Sequence, residues 1–244
     1  MTRIFAEPGQ IREGSVHVAG AELNHIRNVL RMRPGEQLSV SDGSGHVYLC
    51  EISALEKEEA VLKILEEQRL NELGSKLVLF QGLPKGDKLE LIIQKAVELG
   101  AACIVPVKMK RCIVKWDEKK AESRLKRYRA IAESAAEQSQ RDIVPEISPC
   151  LSLKEALALA KTLDHILVPY ERAEGMEESR RVIRSIRPGE SAGIFIGPEG
   201  GFEEEEVREI VAAGGHAVTL GRRILRTETA GLAALSVLMF ELED

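Results

Sequence analysis

The hydrophobic rhythm of this chain changes once, near residue 75, and that change constrains the fold more than any other feature. Before it, Ser15–Val18, Gln37–Ser41 and Val47–Leu55 read as strands, and Asp42-Gly43-Ser44-Gly45 is a strong hairpin turn between the last two. One helix interrupts them, from about Ala21 to Met32, with Leu23, Ile26, Val29 and Leu30 on one face and Pro34-Gly35 ending it. After residue 75, continuous apolar runs of strand length (Leu77–Gln81, Ala101–Val107, His165–Pro169, Ala192–Ile196, Ala217–Leu220) alternate with helical stretches. That alternation is the mark of a mostly parallel sheet. Asp87 and Glu90 form a candidate capping box for a helix that stops at Gly100; further helices are expected over Asp117–Ser139, Glu203–Ala213 and Glu228–Leu242. The polar stretch Glu66–Ser75 is the best boundary. It divides a small β-rich domain, residues 1–72, read as a barrel with a short helical cap, from an α/β domain, residues 73–244.

No apolar run approaches the roughly 18 residues that span a bilayer, and the opening MTRIFAEPGQIREG lacks the apolar core of a secretory signal. A cytoplasmic protein without membrane contact is expected. Cys50, Cys103, Cys112 and Cys150 form no C-x-x-C pair and have no histidine at zinc spacing, so no metal is expected. Buried, inert thiols are the default for them, and a reactive thiol is the alternative.

Charge is unevenly placed. The net charge is −5, yet residues 108–129 hold ten Lys/Arg against three acids, a local +7 that leaves −12 for the remainder. Such a stretch is either a phosphate-contacting surface or a solvated helix face. With Arg3, Arg27, Arg31 and Arg33 of the N-terminal domain, the residues Lys110, Arg111, Lys126, Arg127 and Arg129 are the candidate contacts of such a phosphate-tracking surface.

Two loops stand between a strand and a helix, where ligands of open α/β sheets bind. They are Ile196-Gly-Pro-Glu-Gly-Gly-Phe202 and Leu220-Gly-Arg-Arg-Ile-Leu-Arg-Thr-Glu-Thr-Ala230. Three glycines in five residues let a ligand approach the backbone closely. The first loop has neither the Lys-Ser/Thr of a P-loop nor G-x-G-x-x-G spacing, and Glu199 with Glu203–Glu206 would repel phosphate. A positively charged nucleoside such as S-adenosylmethionine fits better. The bland alternative is a helix start, where acids complement the macrodipole anyway.

IGPEGGFEEEEV and LGRRILRTETA, together with QGLPKGDKLELIIQKAVELGA (81–101), AAEQSQRDIVPEI (135–147) and HIRNVLRMRPGEQLSVSDG (25–43), resemble the N3-uridine methyltransferases of small-subunit ribosomal RNA in the SPOUT class. The resemblance covers essentially the whole chain. It implies an α/β C-terminal domain tied in a deep trefoil knot, a small PUA-like RNA-binding barrel before it, and a homodimer with the site near the subunit interface, to which the final helix with Leu232, Leu235, Leu238, Met239 and Leu242 could contribute. It implies S-adenosylmethionine as cofactor, held by Gly197, Glu199, Gly200 and Gly201, by Leu220, Gly221, Ile224, Leu225, Arg226, Thr227, Thr229 and Ala230, with Pro169 and Tyr170 as a third wall. The implied partner is 16S ribosomal RNA of the small subunit, and the resemblance makes the candidate phosphate-tracking surface RNA-binding.

The implied reaction is an in-line displacement by uridine N3, which must lose its proton before or during attack. A proton acceptor, or a cation stabilising charge on O2 and O4, is therefore needed. The candidates are Glu137, Gln138 and Arg141 after the long helix, and Arg226 and Glu228 in the second loop. The two arginines suit the stabilising role through their planar fork, although Arg226 and Glu228 could instead clamp the fold. Two other readings stay open: a knotted ribose 2′-O-methyltransferase acting on tRNA or rRNA, and a non-catalytic ribosome-assembly factor.

Overall fold

The computed structural model describes residues 3–43, 45–68, 70–114, 116, 118–173 and 175–243. Ser44 of the expected hairpin turn, Arg69 of the boundary, and Lys115 and Asp117 of the basic stretch lie outside the described residues, as do the side chains of Glu118 and Lys119. The chain forms two compact units, residues 1–72 with 136–144 and residues 73–135 with 145–244.

The first unit contains β1 (Arg3–Phe5), β2 (Ile11–Arg12), β3 (Ser15–Val18), α1 (Gly20–Asn24), β4 (Gln37–Ser41), β5 (Val47–Leu55) and β6 (Ala60–Gln68). One sheet runs β1-β4-β5-β6-β3-β2, antiparallel except for the β1–β4 pair. Its inner face closes on Ile4, Val16, Ile26, Leu38, Val40, Ile52 and Leu62. β6 is absent from the sequence reading, and its polar end Glu66–Gln68 pairs with Val47–Leu49 of β5, so part of the expected linker is strand. The expected helix is α-helical only over Gly20–Asn24, and His25–Val29 forms a π turn. The extra residue breaks the 3.6 period, so Ile26 is buried while Val29 points to solvent.

The second unit contains β7 (Leu77–Gly82), α2 (Lys88–Glu98), β8 (Ala101–Lys108), α3 (Glu118–Gln138, its last residues belonging to the first unit), β9 (Glu146–Ile147), β10 (Leu151–Ser152), α4 (Leu153–Ala160), β11 (His165–Pro169), α5 (Met176–Arg184), β12 (Ala192–Ile196), α6 (Glu204–Ala212), β13 (His216–Val218) and α7 (Thr227–Leu242). The sheet is parallel throughout, ordered β10-β8-β7-β12-β11-β13, with β9 also beside β8. Apolar runs without alternation fit central parallel strands covered on both faces: every residue of β7 and β12 is buried. Phe80 and Phe195 stack between them with centroids 4.4 Å apart. Two helices go beyond the sequence reading, α4, opened by a Ser152–Glu155 capping box, and α5. The Asp87 box does not form. The backbone there (φ −97°, ψ 12°) is outside the extended region a cap requires, Asp87 makes no side-chain cap bond, and Glu90 pairs with Arg127 at 2.7 Å.

Candidate functional site

The segments that follow β11, β12 and β13 converge, with the start of α2 and α7, on a pocket of about 310 Å³ within the second unit. Its first wall is the glycine loop. A Cβ on Gly82 would stand 2.7 Å from the Pro198 nitrogen, so the end of β7 and this loop can meet only through glycine. Gly201 adopts a left-handed φ of +69° and donates to the Pro198 carbonyl at 2.9 Å, which curls the loop back on itself. Ile196 and the buried Phe202 supply apolar surface. The second wall is Thr219–Thr227, where Ile224 is 86% exposed at the mouth. Pro169, Tyr170 and Glu171 form the third.

Two sets of contacts fasten these walls. After β13 at the edge of the sheet the chain returns to its middle, where the Thr227 hydroxyl donates to the Gly197 carbonyl at 2.6 Å and accepts from Gln81 Nε2 at 2.8 Å, all of it buried. Nearer the mouth, the Lys88 ammonium lies 3.2 Å from Glu199 and 3.3 Å from Glu228. Glu199 chiefly holds the Lys88 ammonium above its ordinary range. Burial alone would raise the Glu199 carboxyl, but the backbone N–H of Lys85, its own N–H and Lys88 together hold it below the usual value.

Of the expected cofactor residues, Pro169, Tyr170, Gly197, Glu199, Gly201, Leu220, Gly221, Ile224, Leu225, Arg226, Thr227 and Ala230 line this pocket. Gly200 and Thr229 do not: Thr229 is exposed on α7, and a Cβ on Gly200 would face Arg111 Cβ at 3.1 Å. Lys88, Glu171 and Thr219 line it from outside the two loops singled out by sequence, and Ile196, Pro198, Phe202 and Arg223 line it from within them without being among the expected cofactor residues. Lys88 was findable, since it follows the loop at the carboxyl end of β7; Glu171 carries no such signal.

The catalytic candidates separate. Arg226 lines the pocket and makes no ion pair among the described residues, while Glu228 is largely buried against Lys88. Glu137 and Gln138 sit in the last turn of α3, within the first unit. Arg141, in the same unit, is only 6% exposed, and its Nε donates to Glu72 at 3.1 Å. The guanidinium expected to stabilise charge on the uracil oxygens is thus held by Glu72 in this chain. The same Glu72 accepts from the N–H groups of Asp142 (2.8 Å) and Ile143 (2.9 Å), and Asp142 pairs with Arg3 at 3.0 Å.

The cations expected at RNA separate likewise. Lys110 pairs with Glu205, and Arg111 with Glu203 at 2.8 Å, so part of the basic stretch is neutralised by the acidic turn of α6. Those partners raise both cations' pKa and lower both carboxyls'. Arg127 pairs with Glu90, Arg3 with Asp142, and Arg27 donates to the carbonyls of Glu56 and Lys57. Arg31, Arg33, Lys126 and Arg129 are exposed and make no ion pair among the described residues. Burial pushes the thiols up, Cys50 to about 12 and Cys103 and Cys150 to about 11, as inert cysteines require. Among the described residues no metal-binding cluster of His, Cys, Asp or Glu occurs, and no helix is long and apolar enough to cross a membrane.

Comparison with known proteins gives a consistent result. Residues 71–239 match an RNA methyltransferase domain, and residues 18–65 match an RNA methyltransferase PUA domain. The ribosomal RNA small subunit methyltransferase E of Bacillus subtilis is 39% identical over 100% of this chain and 98% of its own, and that of Synechocystis is 33% identical over 99% and 78%. The crystal structure of a ribosomal RNA small subunit methyltransferase E from Neisseria gonorrhoeae, bound to S-adenosyl methionine, superposes with a TM-score of 0.82 at 35% identity, covering 98% of this chain and 97% of that one.

Proposed function

This chain belongs to the RNA methyltransferase family that includes the ribosomal RNA small subunit methyltransferases E, and from that premise we propose that it methylates N3 of a uridine in 16S ribosomal RNA with S-adenosylmethionine. The observation that carries the proposal is the pocket, whose chemistry fits that cofactor. It is bounded by glycine-loop backbone and apolar at Ile196, Phe202 and Leu225, with the charges of Glu171 and Glu199 offset by Lys88, Arg223 and Arg226, a lining that suits a nucleoside cofactor held through backbone groups and apolar surface. When bound there, S-adenosylmethionine supplies an electrophilic methyl carbon whose leaving group is a neutral thioether.

The protein's own residues would do the rest. Backbone groups of Gly197, Leu220 and Leu225 hold the cofactor, and Phe202 and Ile196 exclude water. Arg226 stabilises negative charge on the uracil oxygens as N3 attacks. Glu228 takes the N3 proton, and Lys88 keeps its carboxylate aimed. Arg31, Arg33, Lys126 and Arg129 contact RNA phosphates. The second unit is tied in a trefoil knot, a reading that the return of the chain from edge strand to sheet centre through Thr219–Thr227 is compatible with. Phe240, 80% exposed on α7, and Val237 beside it support a homodimer. The protein acts in the cytoplasm on the small subunit. Mass mapping of small-subunit RNA from a strain lacking the protein tests the reaction: one uridine base methyl should disappear. Loss of a ribose methyl instead, or no loss, would overturn it.

A further inference from the structure

We propose that Arg111 is a positioning residue of the pocket, holding the glycine loop from behind in the shape that receives the cofactor. The inference rests on the pocket being the cofactor site. It removes Arg111 from the RNA-contacting residues, where its place in a basic stretch would put it.

The geometry is two-pronged. Arg111 Nη1 donates to the Gly200 carbonyl at 2.9 Å, and Nε donates to Glu203 Oε1 at 2.8 Å. The first acceptor is the backbone of the glycine loop itself. The second belongs to the residue that caps α6, where Glu203 and Glu206 form a reciprocal capping box. One planar guanidinium thus joins the loop to the helix that follows it, a task suited to a rigid fork and not to a single ammonium. Beside it, the Lys110 backbone N–H donates to Glu206 Oε1 at 2.7 Å, so this segment is docked on the α6 turn through its main chain as well.

Gly200 completes the fit. It does not line the pocket, and a Cβ there would press on Arg111 Cβ at 3.1 Å. Gly197 and Gly201 border the pocket, and Gly200 is bare because Arg111 lies against it. A pocket that binds through backbone groups depends on the loop being held in the binding shape beforehand, because ordering it on binding subtracts from affinity. Arg111 supplies that order from outside the cofactor's reach, and Glu203 already neutralises the charge that a phosphate would need.

Calorimetry on the full chain, with S-adenosylmethionine and S-adenosylhomocysteine as probes, separates the roles. Arg111→Met should weaken both ligands about tenfold, through loss of a charge-assisted bond at a partly exposed site. Their equal loss distinguishes positioning from electrostatic action on the sulphonium, which only the first ligand carries. Arg111→Lys should restore part of the affinity. Gly200→Ala should weaken binding through the same contact, so adding it to Arg111→Met should cost less than the product of the two effects. The salt dependence of RNA binding should not change. Parent-like affinity in folded Arg111→Met, or a flattened RNA salt slope with cofactor affinity intact, would overturn the inference. Should Arg111→Met not fold, Arg111→Lys and Gly200→Ala carry the same comparison. A parent that binds neither ligand would overturn the pocket reading and this inference with it.

Discussion

Two regions of the molecule look alike in sequence and differ in structure. Glu137–Asp142 and Leu220–Ala230 are both polar, arginine-bearing segments beside a long helix. In the first, Arg141 is buried on Glu72, and Glu72 also collects the N–H groups of Asp142 and Ile143. In the second, Arg226 faces an open pocket and has no carboxylate partner among the described residues. The difference teaches that an arginine's availability is set by the acids that fold back onto it. A cation already in a short, buried ion pair cannot turn to a substrate without leaving a carboxylate unpaired, at a cost of several kcal/mol.

The largest expected effect breaks or supports this contrast directly. Arg226→Ala should slow single-turnover methyl transfer by a factor on the order of 10²–10³ while cofactor affinity changes little, as for loss of one preorganised donor. Arg141→Ala should do the reverse. It should lower folding stability by about 3 kcal/mol, read from the urea midpoint, with the transfer step near normal wherever the protein is folded. A hundredfold slower step in folded Arg141→Ala would show that this guanidinium reaches the substrate after all.

How much of this was legible in the sequence follows the same line. The parallel strands were readable because β7, β8 and β12 are continuous apolar runs bounded by turn residues. The two loops that wall the pocket were readable from their place between a strand and a helix, and the first also from its three glycines. The π turn at His25–Val29 was not readable, because an inserted residue shifts the face without leaving a compositional trace. β6 was missed altogether, because its second half is charged and exposed and looks like linker. The pairing of Lys110 and Arg111 with residues over ninety positions later depends on tertiary approach, which no local pattern encodes. The resemblance to known methyltransferases named the walls of the pocket, and the structure added what fastens them, Lys88 and Thr227.

A smaller effect sharpens the contrast within the basic stretch. If only the outward cations meet RNA, charge reversal at Lys126 and Arg129 together should flatten the log–log salt dependence of small-subunit RNA binding. The slope should change by about 0.7–0.9 for each phosphate that is no longer neutralised. Lys110→Glu, whose cation is already held by Glu205, should leave the slope as it was. Equal flattening by all three would mean that the α6 ion pairs open on RNA and that the division into engaged and open cations is false.

The smallest effect concerns the engaged cations themselves and depends on pH. Hydrogen bonding to Lys110 lowers the Glu205 carboxyl from its ordinary 4.5, and the same bond raises the Lys110 ammonium from its ordinary 10.5. A depressed carboxyl stabilises the fold above its unfolded pKa, and that contribution fades as pH falls through the folded value. A raised ammonium stabilises below its unfolded pKa and fades as pH rises through the folded one. The pair should therefore contribute a small, constant increment from about pH 5 to 10 and lose it outside that window. Both groups are exposed, so the increment is screened, and at 1 M salt, where the Debye length is about 3 Å, it should nearly vanish. Lys110→Met keeps the aliphatic stem and removes the charge, so the difference in thermal midpoint between parent and variant isolates the pair. That difference should be flat through neutrality and shrink below pH 4.5. If it instead persists undiminished at pH 3 and in high salt, Lys110 acts through the packing of its stem, and charge pairing with the α6 turn is not what engages it.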